Sequence, residues 1–472
     1  MRPDDILFSS IEELAPQIRA RRISPVELTE IALDRLEKIG TKLGAVASLM
    51  RTSAIEEARA AAREISVGRY RGPLHGIPYG AKDLLATRSA KTMWGAAPFR
   101  DQQFDHDATV IKRLRDAGAI LVAKLAMIEL AGGMGYNEAD ASITGACRTP
   151  WNADYWSGGS SSGPGAAVAA GLVAFSIGSE TSGSIITPAA FCGITGLRPT
   201  YGAVSRYGAM ALSWTLDKLG PMCRTARDCA LVFQAIAGRD PLDPTAKGLA
   251  PGMRRRDTVR RTSEPRPRLA VMKDSYEKAQ PEVRQNFLRA LDVFKQFADL
   301  EMDVKLPDYP YGAMVGTIVD AEGASAFRDL IESGRIKELA SPSGRTGGFA
   351  ASLVTAVDYL HAMRLRAPAR RAWREMFTKY TALVAPSRST VAYPVNKKFN
   401  EVYKEVNASS PIGASNVVGV PGISLPNGFG ANNLPTGIQL IGAAWDERTL
   451  IDLANRYQQA TNWHTLRPAL KG

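Results

Sequence analysis

Apolar runs of strand length, separated by capped helical segments, recur from one end of the chain to the other, and this alternation restricts it to an α/β architecture. The runs are "AILVAK" (residues 119–124), "GLVAFSIG" (171–178), "RLAVM" (268–272) and "TALVAPS" (381–387), with a short extended piece at Ile77–Ala81. Their apolar side chains are continuous rather than alternating, as expected of strands covered on both faces. Helix signals fill the intervals. Residues 24–40, "SPVELTEIALDRLEKIG", open on a Ser24–Glu27 capping box with Pro25 at the first helical position and close on Gly40. Further helices are expected from Ser53 to about Val67, after an Asp107 cap, and after Pro281. The pattern predicts a central mixed, mostly parallel twisted sheet covered by helices on both faces. No internal repeat or linker interrupts it, so residues 1–472 are expected to form a single domain.

Composition narrows the function class. With 45% hydrophobic and 22% charged residues the balance is that of a soluble globular protein. No run of about 18 apolar residues suggests a membrane span, and "MRPDDILFSS" lacks a secretory pattern, so a cytoplasmic protein without a membrane partner is expected. Part of the +12 net charge sits in "GMRRRDTVRRTSEPRPR" at 252–268. That run has no interleaved aromatics to stack bases, so it is expected to be a solvated connecting loop and not a nucleic-acid surface. Cys147, Cys192, Cys223 and Cys229 form no CxxC pair and read as buried free thiols; no metal is expected.

Three stretches carry residues suited to chemistry. Lys82 in "GIPYGAKDLL" is flanked by apolar residues, which favours a neutral amine able to act as a base, although a structural ion pair would explain it too. "WSGGSSSGPGAAVAAG" (156–171) feeds a Gly/Ser loop into an Ala-rich helix; its serines suit helix capping or a binding loop. It also contains "GSSSG", the spacing of a nucleophile elbow centred on Ser161, with His361 or His464 as the base it would need. The residues before it, "RTPWNADYW", are turn-like where an elbow needs a strand. In "GSETSGSIITPAAFCG" (178–193), a serine follows small residues whose successive N–H groups could bind a carbonyl oxygen. The phosphate-loop pattern G-x-x-x-x-G-K-[ST] is absent from it.

Together, in this order and spacing, the three stretches resemble the amidase signature family of serine hydrolases. Lys82 fits the family lysine, Ser160 in "GGSSSG" the bridging serine and Ser184 in "SGSI" the nucleophile, 24 residues apart (184 minus 160). The resemblance extends over "PAAFCGITGLRPTYGAVSRYGAMALSWTLDKLGPM" (188–222) and "VGVPGISLPNGFGANNLPTGIQLIG" (418–442). It implies the amidase signature fold, with a core at about 70–225, a variable substrate-loop region at about 245–380 and a C-terminal part at 381–472. It also implies a cis peptide bond before Ser160, and a relay in which neutral Lys82 takes a proton from Ser160 as Ser160 takes one from Ser184. The amides of Thr181, Ser182, Gly183 and Ser184 would form the oxyanion hole, and no cofactor is required.

The chain departs from the commonest family pattern at Glu180, where Asp is usual, at Ser182, at Ile186, where many members carry arginine, and at Ser162 and Pro164. The expected activity is hydrolysis of small neutral or aryl amides, with carbamates or esters possible substrates, by a monomer or homodimer. The alternative is the glutaminase subunit of an aminoacyl-tRNA amidotransferase. Loops 87–104, 131–149 and 310–350 are the candidates for substrate selection, and Trp94, Tyr136, Ile143, Tyr311 and Met314 suggest an apolar acyl or aryl pocket.

Overall fold

The apolar runs become interior strands of one eleven-stranded sheet. The computed structural model describes residues 3–248 and 266–470. In chain order the strands are β1 (Val46–Leu49), β2 (Pro78–Lys82), β3 (Ile120–Leu125), β4 (Phe175–Glu180), β5 (Thr195–Arg198) and β6 (Lys218–Cys223). A separate two-stranded ribbon, β7 (Arg239–Asp240) and β8 (Asp243–Lys247), follows. The sheet resumes with β9 (Arg268–Met272), β10 (Asp299–Val304), β11 (Ala382–Pro386), β12 (Gly422–Phe429) and β13 (Pro435–Ile441). Its order is β1-β3-β2-β4-β6-β5-β12-β13-β11-β9-β10. Every residue of β2, β3, β4, β5, β6, β11 and β13 is buried, which matches the continuous apolar runs of β3 and β11.

The sheet is mixed, as expected, but not mostly parallel. β2 lies parallel to β3 and β4, and β9 parallel to β10 and β11; the other six pairs are antiparallel. The reason is in the connections. β12 and β13 are joined by residues 430–434, too few for a crossover, and β6 returns antiparallel between β4 and β5. The β5–β12 pair, Gly422 opposite Arg198, ties the two halves of the chain into one sheet.

The Gly/Ser loop enters a helix, Ser162–Ala169, whose every residue is buried. It packs against the sheet on one side and helix Ile186–Cys192 on the other. That position explains its small residues: a Cβ on Gly163 would stand 2.4 Å from the Ala45 carbonyl oxygen and 2.5 Å from the Ala126 nitrogen.

Helix ends differ in detail from expectation. Ser24 Oγ accepts from the Val26 amide, the helix running Pro25–Arg35 and continuing through a wider turn to Gly40. The next helix begins at Arg51, so Ser53 lies in its first turn and donates to the Met50 carbonyl. Asp107 is no cap: it accepts from the Arg88 amide and pairs with Arg115 at 2.6 Å. Of the Arg-rich run, residues 252–265 lie outside the described residues, while Arg266 and Arg268 pair with Asp299 and Glu301. The four cysteines are buried free thiols.

Candidate active site

Lys82 ends β2, an interior strand of the sheet, and is wholly buried. Its Nζ lies within hydrogen-bond distance of two hydroxyls, 2.8 Å from Ser160 Oγ and 2.9 Å from Ser179 Oγ. Burial pushes the amine down to about 7, against the opposing pull of Asp217 and Glu180. The peptide Gly159–Ser160 is cis.

The crowded serines divide their work. Ser161 Oγ donates to the Ser179 carbonyl and accepts from the Ser179 amide, tying the loop to β4. Ser162 donates to the Ala126 carbonyl and Ser157 to the Cys147 carbonyl. Only Ser160 among them faces Lys82. The elbow is thereby overturned: Ser161 is buried against a strand, His361 is exposed on helix Ala356–Lys379, and His464 sits in a turn beside Arg224.

Ser184 lies beyond β4, partly exposed at a cleft of about 480 Å³. The Ser161 amide donates to the Ser184 carbonyl, which brings the two loops together. Thr181, Ser182 and Ser184 line the cleft, and Gly183 holds φ +94, a backbone state that favours glycine. Among the described residues no protein acceptor takes the amides of Thr181, Ser182, Gly183 or Ser184. Such a run of free N–H groups is suited to a developing oxyanion.

Behind the loop is a buried frame that the sequence did not signal. Glu180 accepts from the amides of Ile185 and Ile186 through Oε2, and from Arg198 and Asn416 through Oε1. Although burial opposes its ionisation, Arg198 and these donors hold its carboxyl at about 2. Arg198 thus supplies, from β5, a cation where Ile186 supplies none. Asp217 accepts from Thr181 Oγ1 at 2.6 Å and from the amides of Leu212 and Ser213. Ser179, Arg198 and Asp217 left only one trace in the sequence, a polar residue inside or beside an apolar run.

The cleft wall departs from the apolar expectation. Of the five residues proposed for it, Tyr136 alone lines it, with Trp156, Tyr393, Phe399, Arg388 and Asp320. Trp94 packs on Phe99 and Phe104, Tyr311 on Trp373, and Met314 is buried. Loops 131–149 and 310–350 contribute lining residues; 87–104 does not, and a segment after β11 does.

A buried lysine joined to a serine, beside a second serine and a row of free amides, defines a serine hydrolase type of centre on an α/β sheet. The sequence matches the Amidase family over residues 27–451, and the chain belongs to it, the amidase signature family of C–N hydrolases. It is 34% identical to a glutamyl-tRNA(Gln) amidotransferase subunit of Moorella thermoacetica, covering 99% of both chains. It superposes on native peptide amidase from Stenotrophomonas maltophilia with TM-score 0.82 and 29% identity, covering 96% of both chains. A chain from a vestigial protein complex linked to the origins of an s-triazine catabolic enzyme matches with TM-score 0.86 and 28% identity, over 96% of this chain and 99% of that one. Among the described residues no helix is long and apolar enough to cross a membrane.

Proposed function

We propose that the chain hydrolyses amide C–N bonds through an acyl-enzyme on Ser184. The observation that carries this is the buried Lys82, with its amine near 7 and 2.8 Å from Ser160. A neutral amine has two N–H groups and one lone pair. Donating to Ser179, it keeps the lone pair for the Ser160 proton while Ser160 takes the proton of Ser184. The Ser184 oxygen attacks the amide carbonyl, and the amides of 181–184 receive the oxyanion. The relay then returns a proton to the leaving nitrogen, the C–N bond breaks, and water releases the acyl group by the same steps. A fluorophosphonate probe with mass spectrometry tests this. The adduct is expected on Ser184, lost with turnover in Ser184→Ala and retained in Ser161→Ala; an adduct on Ser161 rejects the assignment.

A second reading has its own support: this chain as the glutaminase subunit of an amidotransferase. The full-length likeness to relatives named as glutamyl-tRNA(Gln) amidotransferase subunits favours it. So do four exposed apolar side chains where helix Gly344–Ala351 turns into helix Ala356–Lys379: Phe349, Leu353, Val357 and Leu360, with Leu353 81% and Val357 75% exposed. The names of those relatives also weigh against setting aside tRNA or a partner protein. Glutamine hydrolysis that appears only with glutamyl-tRNA and partner subunits is the result that selects this reading.

A further inference from the structure

The cleft that opens on Ser184 carries a charge the relay does not use. Arg388 lines it from the segment that follows β11. Its Nε is closed off from water without a partner, and neither a carboxylate nor any other protein acceptor takes its terminal nitrogens among the described residues. The guanidinium edge that remains accessible therefore faces the cleft. This is unusual for arginine, whose planar fork is ordinarily paired when half-buried.

The surroundings of Arg388 select what could pair with it. Trp156 and Phe399 are stacked with centroids 4.5 Å apart, and Tyr136 meets both edge-on at 6.1 Å. The hydroxyls of Tyr136 and Tyr393 make no hydrogen bond to protein among the described residues. Burial pushes Tyr136 up to about 12, so it stays a protonated donor at neutral pH. This wall offers one cation and two phenolic donors set among flat apolar faces. The one carboxylate lining the cleft, Asp320, is exposed on helix Tyr311–Ala326 and makes no ion pair among the described residues. It provides an opposing charge at the rim, where an ammonium on the ligand is tolerated and a second carboxylate is not.

We propose that Arg388, with the hydroxyls of Tyr136 and Tyr393, forms a carboxylate subsite, so that the preferred substrate is an amide bearing one carboxylate remote from the scissile carbonyl. The proposal rests on Ser184 as the attacking group and names the substrate class for it. Acyl chains lying between Ser184 and Arg388 would run along the Trp156 and Phe399 faces, which suits an aryl or short alkyl spacer.

The test pairs acids with their neutral isosteres: 4-carbamoylbenzoate against terephthalamide, and glutaramate against glutaramide. Wild-type kcat/KM is expected to favour the acids at least about 10-fold, Arg388→Gln to lower that ratio about 10- to 100-fold, and Arg388→Lys to restore part of it. Binding of the same two acids to Ser184→Ala, measured by calorimetry, gives a readout that needs no turnover; adding Arg388→Gln is expected to weaken it by a similar factor. Equal or better hydrolysis of the neutral amides, or acid binding that Arg388→Gln leaves unmoved in a protein with wild-type circular dichroism, overturns the subsite. Acid binding that depends on Arg388 without any hydrolysis upholds the subsite and instead overturns Ser184 as the attacking group.

Discussion

Lys82 has no carboxylate within ion-pair distance among the described residues, and its burial is what lets the amine lose its proton near pH 7. Two pH effects follow with definite signs. In the proposed relay the free base is required, so kcat/KM should climb about tenfold per pH unit below 7 and level off above it. For stability, the unfolded chain binds a proton on this lysine between about 7 and its ordinary 10.5 that the folded chain does not. Stability contributed by this group therefore rises with pH across that window. Lys82→Met should lose activity and also lose this slope, seen as a urea midpoint that changes less from pH 7 to 10 than in wild type. A rate profile flat from pH 5 to 9 would reject the neutral-lysine relay. Lys82, Ser160 and Ser184 were legible because each lies in a local motif of fixed spacing. Ser179, Asp217, Arg198 and Asn416 were not, because strand pairing and helix Ile412–Val418 bring them in from 18 to 236 residues away in the chain. Arg388 was hidden for the same reason.

Among the elements, helix Ser162–Ala169 shows most directly what the small residues do. Gly163 donates to the Ala126 carbonyl, and a methyl group there would meet backbone atoms on two neighbouring segments, which cannot swing aside as a side chain can. Gly163→Ala should cost about 1–3 kcal/mol or more, read as a lower urea midpoint with a shifted or lost activity. Gly312→Ala is the contrast: nothing lies within 4 Å of its Cβ position in helix Tyr311–Ala326, and it should gain up to about 0.5–1 kcal/mol. A neutral Gly163→Ala would mean that the helix can shift away from the sheet. The sequence announced this helix through its alanines and the strands β2, β3, β4, β9 and β11 through their apolar length. Strand direction was not legible. It depends on which strands become neighbours, and the return of β6 between β4 and β5 is a long-range choice that no local pattern encodes.

Across the whole molecule, the cleft draws on both halves of the chain. Lys82, Ser160 and Ser184 come from strands and loops before β6, whereas Arg388, Tyr393 and Phe399 come after β11. The halves meet at β5 and β12, where Arg198 pairs with Glu180 through one nitrogen and donates to the Val420 carbonyl through another. The relay, the free amides and the cleft wall are thus all supplied by one chain. If the cleft is complete in one chain, a lone chain should hydrolyse simple amides with a rate per chain that holds constant over roughly 100-fold dilution. Replacing the exposed Leu353 and Val357 together by glutamate, away from the cleft lining, should leave that rate unchanged while removing whatever association these side chains support. The amidotransferase reading makes the opposite forecast: little turnover alone, gain of glutaminase activity with partner subunits, and loss of that gain in the glutamate variant. Measuring turnover against protein concentration for the wild-type and doubly substituted chains, each with and without glutamyl-tRNA and partner subunits, separates the two, since a rate that falls on dilution is incompatible with a cleft complete in one chain.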